Sequence, residues 1–109
     1  MKPNDLIQGM LDLLILRTLQ LGPKHGCEIA ERIKSSSNDV LYVQQGSLYP
    51  ALHRLEARRW IQAEWGASPT GRRAKYYSLT QSGRARLERE QQNWARLSGA
   101  ITLVLQQQV

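Results

Sequence analysis

The sequence predicts a mainly α-helical fold with one small β-hairpin, followed by a long C-terminal helix. Three observations carry this. Three successive segments place apolar residues at helical spacing, each bounded by turn formers. Two short alternating segments then flank a loop rich in Gly, Ser and Pro. A last stretch repeats apolar residues every seven positions. With 109 residues the chain suits one compact domain and leaves little room for a second.

The first helix has a capping-box-like start, Asp5 with Gln8 three residues later. Leu6, Ile7, Met10, Leu11, Leu13, Leu14, Ile15, Leu16 and Leu19 make it apolar over much of its circumference. Such a helix is buried on more than one side. In so small a domain, one of those sides is expected to face another chain. Leu21-Gly22-Pro23 ends it, because Gly suits the C-terminal cap and Pro cannot continue the helix. The second helix is expected from about Gly26 to Lys34, with Cys27, Ile29, Ala30 and Ile33 on its apolar face. On that face Cys27 reads as a small core residue rather than a nucleophile. Ser35-Ser36-Ser37-Asn38 closes the helix as a polar turn.

Val40-Leu41-Tyr42-Val43 is a short β-prone stretch. Gly46-Ser47 then opens a third helix, with Ser47 expected as N-cap and Pro50 in the first turn. Leu48, Ala51, Leu52 and Leu55 form one core stripe. The opposite face carries Tyr49, Pro50, His53, Arg54 and Ala57, with no acid among them. In the hairpin, Ile61, Ala63 and Trp65 alternate with Gln62 and Glu64, and Tyr77 and Leu79 alternate with Tyr76 and Ser78. Trp60 and Trp65 read as core anchors of this hairpin. Its loop, GASPTGRRA, is tipped by Arg72-Arg73. Thr80 caps the last helix, expected to reach about Gln107. There Leu87, Trp94 and Ile101, with Leu97 and Val104 between, form an a/d stripe broken by Glu90. A helix from a second copy is its obvious partner.

Composition excludes several classes. One cysteine makes no internal disulfide, and one Cys with two His cannot complete a structural zinc site. The opening MKPNDLIQGM does not read as a signal peptide. MLDLLILRTLQL is interrupted by polar residues and is far shorter than the ~20 apolar residues of a membrane span, so a soluble cytoplasmic protein without membrane contact is expected. The charge is localised. Residues 41–86 hold eight bases and two acids, the whole net charge of +6, while both flanks are neutral. A basic stretch of this kind is the electrostatic footprint of a polyanion partner.

Three helices and then a hairpin is the order of a winged helix-turn-helix. There the third helix enters the major groove of DNA and the wing meets the neighbouring backbone. The stretches GSLYPALHRLEARRWI (46–61), RRAKYYSLTQSGRARL (72–87), HGCEIAERI (25–33) and GMLDLLILRTL (9–19) resemble the PadR family of transcriptional regulators over nearly the whole chain. The resemblance implies a homodimeric repressor on an inverted-repeat operator in double-stranded DNA, released by an effector or signal. It implies a DNA-binding domain at 1–80 and a single dimerisation helix at 81–109. DNA-contacting positions map onto Ser47, Tyr49, Pro50, His53 and Arg54, and onto Arg72, Arg73, Lys75 and Tyr76 in the wing. The expected dimer seam comprises Leu11, Leu14, Ile15, Leu87, Trp94, Leu97, Ile101 and Val104. On that seam Trp94 either packs the interface, the simpler role, or walls a cleft where a small aromatic effector could stack. Two departures stand out. Cys27 stands where the family usually has an aromatic, and Arg59-Trp60 replaces a Gly-containing turn, which bears on the wing's angle. No cofactor or metal is implied.

Two rival functions fit the sequence less well. A winged helix built for protein or RNA contact would carry apolar residues at the wing tip, which Arg72-Arg73 oppose. An enzyme would need paired carboxylates, a Cys-His pair or a Gly-rich phosphate loop, and the sequence offers none.

Overall fold

Helical spacing puts Leu48, Ala51, Leu52 and Leu55 on one face of a helix, and all four are buried. They meet Leu11, Ile15, Leu16 and Leu19 from the first helix, Ile29 and Ile33 from the second, and Ile61, Tyr77 and Leu79 from the hairpin. Each such side chain adds about 1.5–3 kcal/mol of apolar burial. The structure is a computed structural model and describes residues 8–108. The elements are α1 (Gln8–Leu19), β1 (Lys24–His25), α2 (Gly26–Ser36), α3 (Gln45–Ala57), β2 (Ile61–Ala67), β3 (Arg73–Leu79) and α4 (Gln81–Gln106). The expected start of the first helix, with Asp5, Leu6 and Ile7, lies outside the described residues.

The sheet has three strands rather than two, in the order β1-β3-β2, all antiparallel. The added strand is the two-residue β1, too short to show any alternation. Its second residue, His25, pairs with Tyr76 and also caps α2. The His25 ring accepts the Glu28 N–H, while the Glu28 carboxylate accepts the His25 N–H, a reciprocal capping box. In β2 and β3, Ile61 faces Leu79 and Ala63 faces Tyr77 at the base. The loop turns on Ser68-Pro69-Thr70-Gly71, closed by the Gly71 N–H on the Ser68 carbonyl at 2.8 Å. Gly71 then takes φ +84°, which completes a hairpin loop of the type I turn plus left-handed residue kind.

Four local expectations are corrected. Val40–Val43 form no strand; the stretch is a connection into α3, with Val43 buried and Val40 and Tyr42 exposed. β-Propensity loses here because no neighbouring strand is available to pair with it. The N-cap of α3 is Gln44, not Ser47, and no side chain caps the helix. Pro50 therefore lies in the second turn, where its ring nitrogen cannot donate to the Gly46 carbonyl. Cys27 is exposed rather than buried, because the core face of α2 runs through Gly26, Ile29 and Ile33. Trp65 is exposed too, while Trp60 is packed on the core.

The junction from α3 into the wing is a Schellman motif. The Arg59 N–H bonds the Glu56 carbonyl at 2.9 Å and the Trp60 N–H bonds the Leu55 carbonyl at 3.1 Å. Arg59 takes φ +62°, the left-handed conformation that glycine would adopt without strain. Arg59 thus stands in a backbone conformation that a glycine would favour. α4 starts against this junction. The Thr80 hydroxyl accepts the Gly83 N–H at 3.0 Å and donates to the Arg59 carbonyl at 2.7 Å. Gly83 is so close that an added Cβ would lie 1.9 Å from the Trp60 carbonyl oxygen. Leu87 anchors α4 in the core, and from Gln91 onward every described residue except Ser98 is exposed.

Two stability outcomes follow, each read by urea denaturation at fixed protein concentration. Gly83→Ala must push α4 off the Trp60 carbonyl and lowers stability by about 1–3 kcal/mol, the usual range for overpacking; an unchanged midpoint would contradict the close approach. Arg59→Gly relieves the left-handed residue and raises stability by up to about 1 kcal/mol, whereas Arg59→Val lowers it by at least as much. Equal losses in both variants would contradict that conformation.

Candidate nucleic-acid interface

Helix α3 and the wing wall a single cleft of about 500 Å³. His25 at the end of β1 and Gly26 and Cys27 at the start of α2 close it from the other side. Tyr49 enters from α3, and Trp65, Arg72, Arg73 and Lys75 from the hairpin. Strand register explains the wing side. Ile61, Ala63, Trp65 and Ala67 share a face with Leu79, Tyr77, Lys75 and Arg73. At the base that face is core; past Tyr77 it leaves the core and becomes the wall of the cleft.

Tyr49 is 45% exposed. Its phenol lies against α2, where an added Cβ on Gly26 would come within 2.9 Å of the hydroxyl. Only glycine leaves that space. Partial burial, and then the neighbouring Cys27 thiol, push the Tyr49 pKa above its ordinary 10.0, so the group is a neutral hydroxyl at physiological pH. Ser47, Pro50 and His53 are exposed on α3 as expected. Arg72 and Arg73 are exposed at the tip, and the Arg73 guanidinium sits over the Trp65 ring, 5.0 Å from its centroid.

The remaining basic and aromatic candidates are engaged within the chain. Arg54 forms a 2.5 Å ion pair with Asp12 and so ties α3 to α1. Lys75 lies 3.2 Å from the Glu56 carboxylate of α3 and over the Tyr77 ring. The Tyr76 hydroxyl donates to the Ala67 carbonyl, and its ring makes an edge contact with His25. Tyr76 thus lies on the face opposite the cleft, with Glu64 as its cross-strand neighbour. Each of these three side chains is thus oriented by a contact within the chain.

Sequence reasoning passed over two residues. Gln45 begins α3 two residues before the expected cap, and it lines a second groove beside Tyr49, Cys27 and Tyr42. Trp65 was grouped with the core because it alternates in phase with Ile61. The phase is right, but a strand longer than the core it covers carries its last residues into solvent.

The expected seam residues divide. Leu11, Ile15 and Leu87 are already covered inside the chain, and Leu14 is half-buried in a groove with Ile33 and Leu41. Trp94, Leu97, Ile101 and Val104 are 42%, 43%, 55% and 70% exposed along one side of α4. Among the described residues, no helix is long and apolar enough to cross a membrane.

Comparison with known proteins agrees with this architecture. An uncharacterised protein of Lysinibacillus sphaericus is 32% identical over 103 residues, covering 94% of each chain. A PadR family transcription regulator from Clostridium difficile superposes with a TM-score of 0.76 at 31% identity, over 87% of this chain and 97% of that one. A PadR-like transcriptional regulator from Bacillus cereus gives 0.79 at 29% identity, over 93% and 96%. The sequence model of the transcriptional regulator PadR-like family matches residues 15–89, from α1 to the buried Leu87 turn of α4. The chain belongs to that family of transcriptional regulators.

Proposed function

We propose that this chain is a homodimeric repressor that binds an inverted-repeat operator through α3 and the wing, and that an effector or signal releases it. The observation that carries the reading is the cleft. The segment holding the entire net charge folds so that Tyr49, Arg72 and Arg73 line one concavity, with His53 exposed on the same helix. In this reading Arg72 and Arg73 meet phosphates, and Ser47, Tyr49, Pro50 and His53 face base edges or sugars in the major groove. Arg54, Lys75 and Tyr76 complete the DNA-contacting set, each oriented by a partner within the chain.

The dimer is the second half of the reading. Trp94, Leu97, Ile101 and Val104 leave an apolar stripe uncovered along α4. Two such stripes covering one another remove it from water. The domain boundary then falls at residue 80, with residues 81–109 as the dimerisation helix. Trp94 is the residue a flat aromatic effector would stack on.

Fluorescence anisotropy with labelled duplexes tests the DNA-binding half. With about six to ten phosphates neutralised per dimer, affinity falls ~10³–10⁵-fold between 50 and 200 mM salt. Equal affinity for every duplex, or no salt slope, would contradict it. Arg72→Ala weakens binding to all duplexes and lowers the salt slope by about one, while His53→Ala costs about 1–3 kcal/mol at particular base pairs. Sedimentation tests the dimer. Leu97→Asp with Ile101→Asp alters only exposed positions, so each chain stays folded. The pair yields monomers and weakens binding to an inverted repeat about 10²-fold or more. A double variant that sediments and binds like the parent would rule out the α4 seam.

A further inference from the structure

Trp65 has no part in the core, yet it is held in one place. It lies on the cleft-facing side of β2, is 58% exposed and carries the Arg73 guanidinium over its ring. Its directly opposed neighbour is Lys75, and Arg73 lies two pairs further out on the same face, opposite Ala67. A diagonal cross-strand pair of this kind is within reach of long and aromatic side chains. Lys75 turns instead toward Glu56 and Tyr77. The indole is left with one cation, and that cation stands at the mouth of the cleft.

We propose that Trp65 is the positioning residue for Arg73, fixing its guanidinium in the cleft before DNA arrives. The proposal rests on the DNA-binding reading above and assigns a residue to it. A guanidinium covered on its face by an aromatic ring keeps its edge N–H donors free, and those are the groups that grip phosphate oxygens. A free arginine loses rotamer freedom when it binds, whereas a stacked one has already lost it. The short turn at Gly71 adds stiffness, because it holds the start of β3 in register with β2. Arg72, one residue earlier, lies in the loop before β3 and also lines the cleft, but among the described residues it has no aromatic ring beneath it. The wing thus presents one cation stacked on a ring and one without a ring beside it.

The test uses the full-length protein and a fluorescein-labelled duplex of 24 base pairs and mixed sequence, because the contact is with backbone. Affinity is measured across salt for Arg73→Ala, Trp65→Ala, Trp65→Phe, Trp65→Leu and the double variant Trp65→Ala/Arg73→Ala. Trp65→Ala weakens binding about two- to fivefold, the strength of an exposed cation–π contact, and moves the salt slope toward that of Arg73→Ala. Trp65→Phe, which keeps a ring, restores most of the loss; Trp65→Leu, which keeps only apolar bulk, does not. The double variant binds no more weakly than Arg73→Ala alone. Multiplying losses, or equal binding by the Phe and Leu variants, would overturn the proposal and make Trp65 a separate contact or a packing residue. A melting curve identifies any variant that fails to fold, and the Phe and Leu pair then decides the outcome. A parent protein that binds no duplex would instead overturn the DNA-binding reading itself, a result distinct from any pattern among the variants.

Discussion

The backbone at Arg59 and Trp60 is the constraint on which the rest of the molecule depends. Three elements meet there. Helix α3 ends in the Schellman bonds to Leu55 and Glu56, and β2 begins one residue later. Helix α4 is capped by Thr80, which bonds both carbonyls of the junction, with Gly83 pressed against the second. The Trp60 ring is flanked by the guanidinium groups of Arg58 and Arg86, 5.2 and 4.7 Å from its centroid. Arg86 is in turn paired with Glu90 one helical turn on. The angle between the recognition helix and the wing, and the direction in which α4 leaves the domain, are both set within a few residues. In the proposed dimer, α4 must leave the domain in a fixed direction, or the two DNA-binding units would not keep a fixed separation.

The wing shows how one strand face serves two purposes. Ile61 with Leu79, and Ala63 with Tyr77, are core pairs. Two pairs further out the same face carries Trp65, Lys75 and Arg73 in the cleft. Pleating fixes which side these residues take; the extent of the helices beneath fixes where burial ends. The acid–base pairs follow the same logic. Asp12 with Arg54 and Glu56 with Lys75 join α1 to α3 and α3 to the wing, partly exposed and modest in energy, but they fix where the uncommitted cations lie.

Much of this was legible in the sequence. The stripe Leu48, Ala51, Leu52, Leu55, the alternation of 61–65 and 76–79, and the Thr80 cap each follow from one period or one cap rule, and the structure follows them. What escaped had no local signal. A two-residue strand at Lys24–His25 shows no alternation. Val40–Val43 had β-propensity but no partner. The Arg59 conformation is disguised by a side chain that seldom adopts it. Trp65 obeyed its period, yet the core stopped short of it, and Cys27 lies off the α2 face that carries Gly26, Ile29 and Ile33. Leu11 and Ile15 belonged to a helix greasy on several sides, and only packing could show which sides this chain covers itself. The ion pairs of Arg54 and Lys75 carry no local signal, because Asp12 and Glu56 lie on other elements or far away in the chain.

In the proposed dimer a rigid junction lets two DNA-binding units, joined through α4, address DNA at a fixed separation. Selection of bound duplexes from a random-sequence pool with the full-length protein tests it most directly. The account predicts an enriched inverted repeat with half-site centres about 34–36 Å apart, one turn of the double helix, or a whole multiple of it. Enrichment of a lone half-site, of half-sites at variable spacing, or of no sequence at all would contradict it.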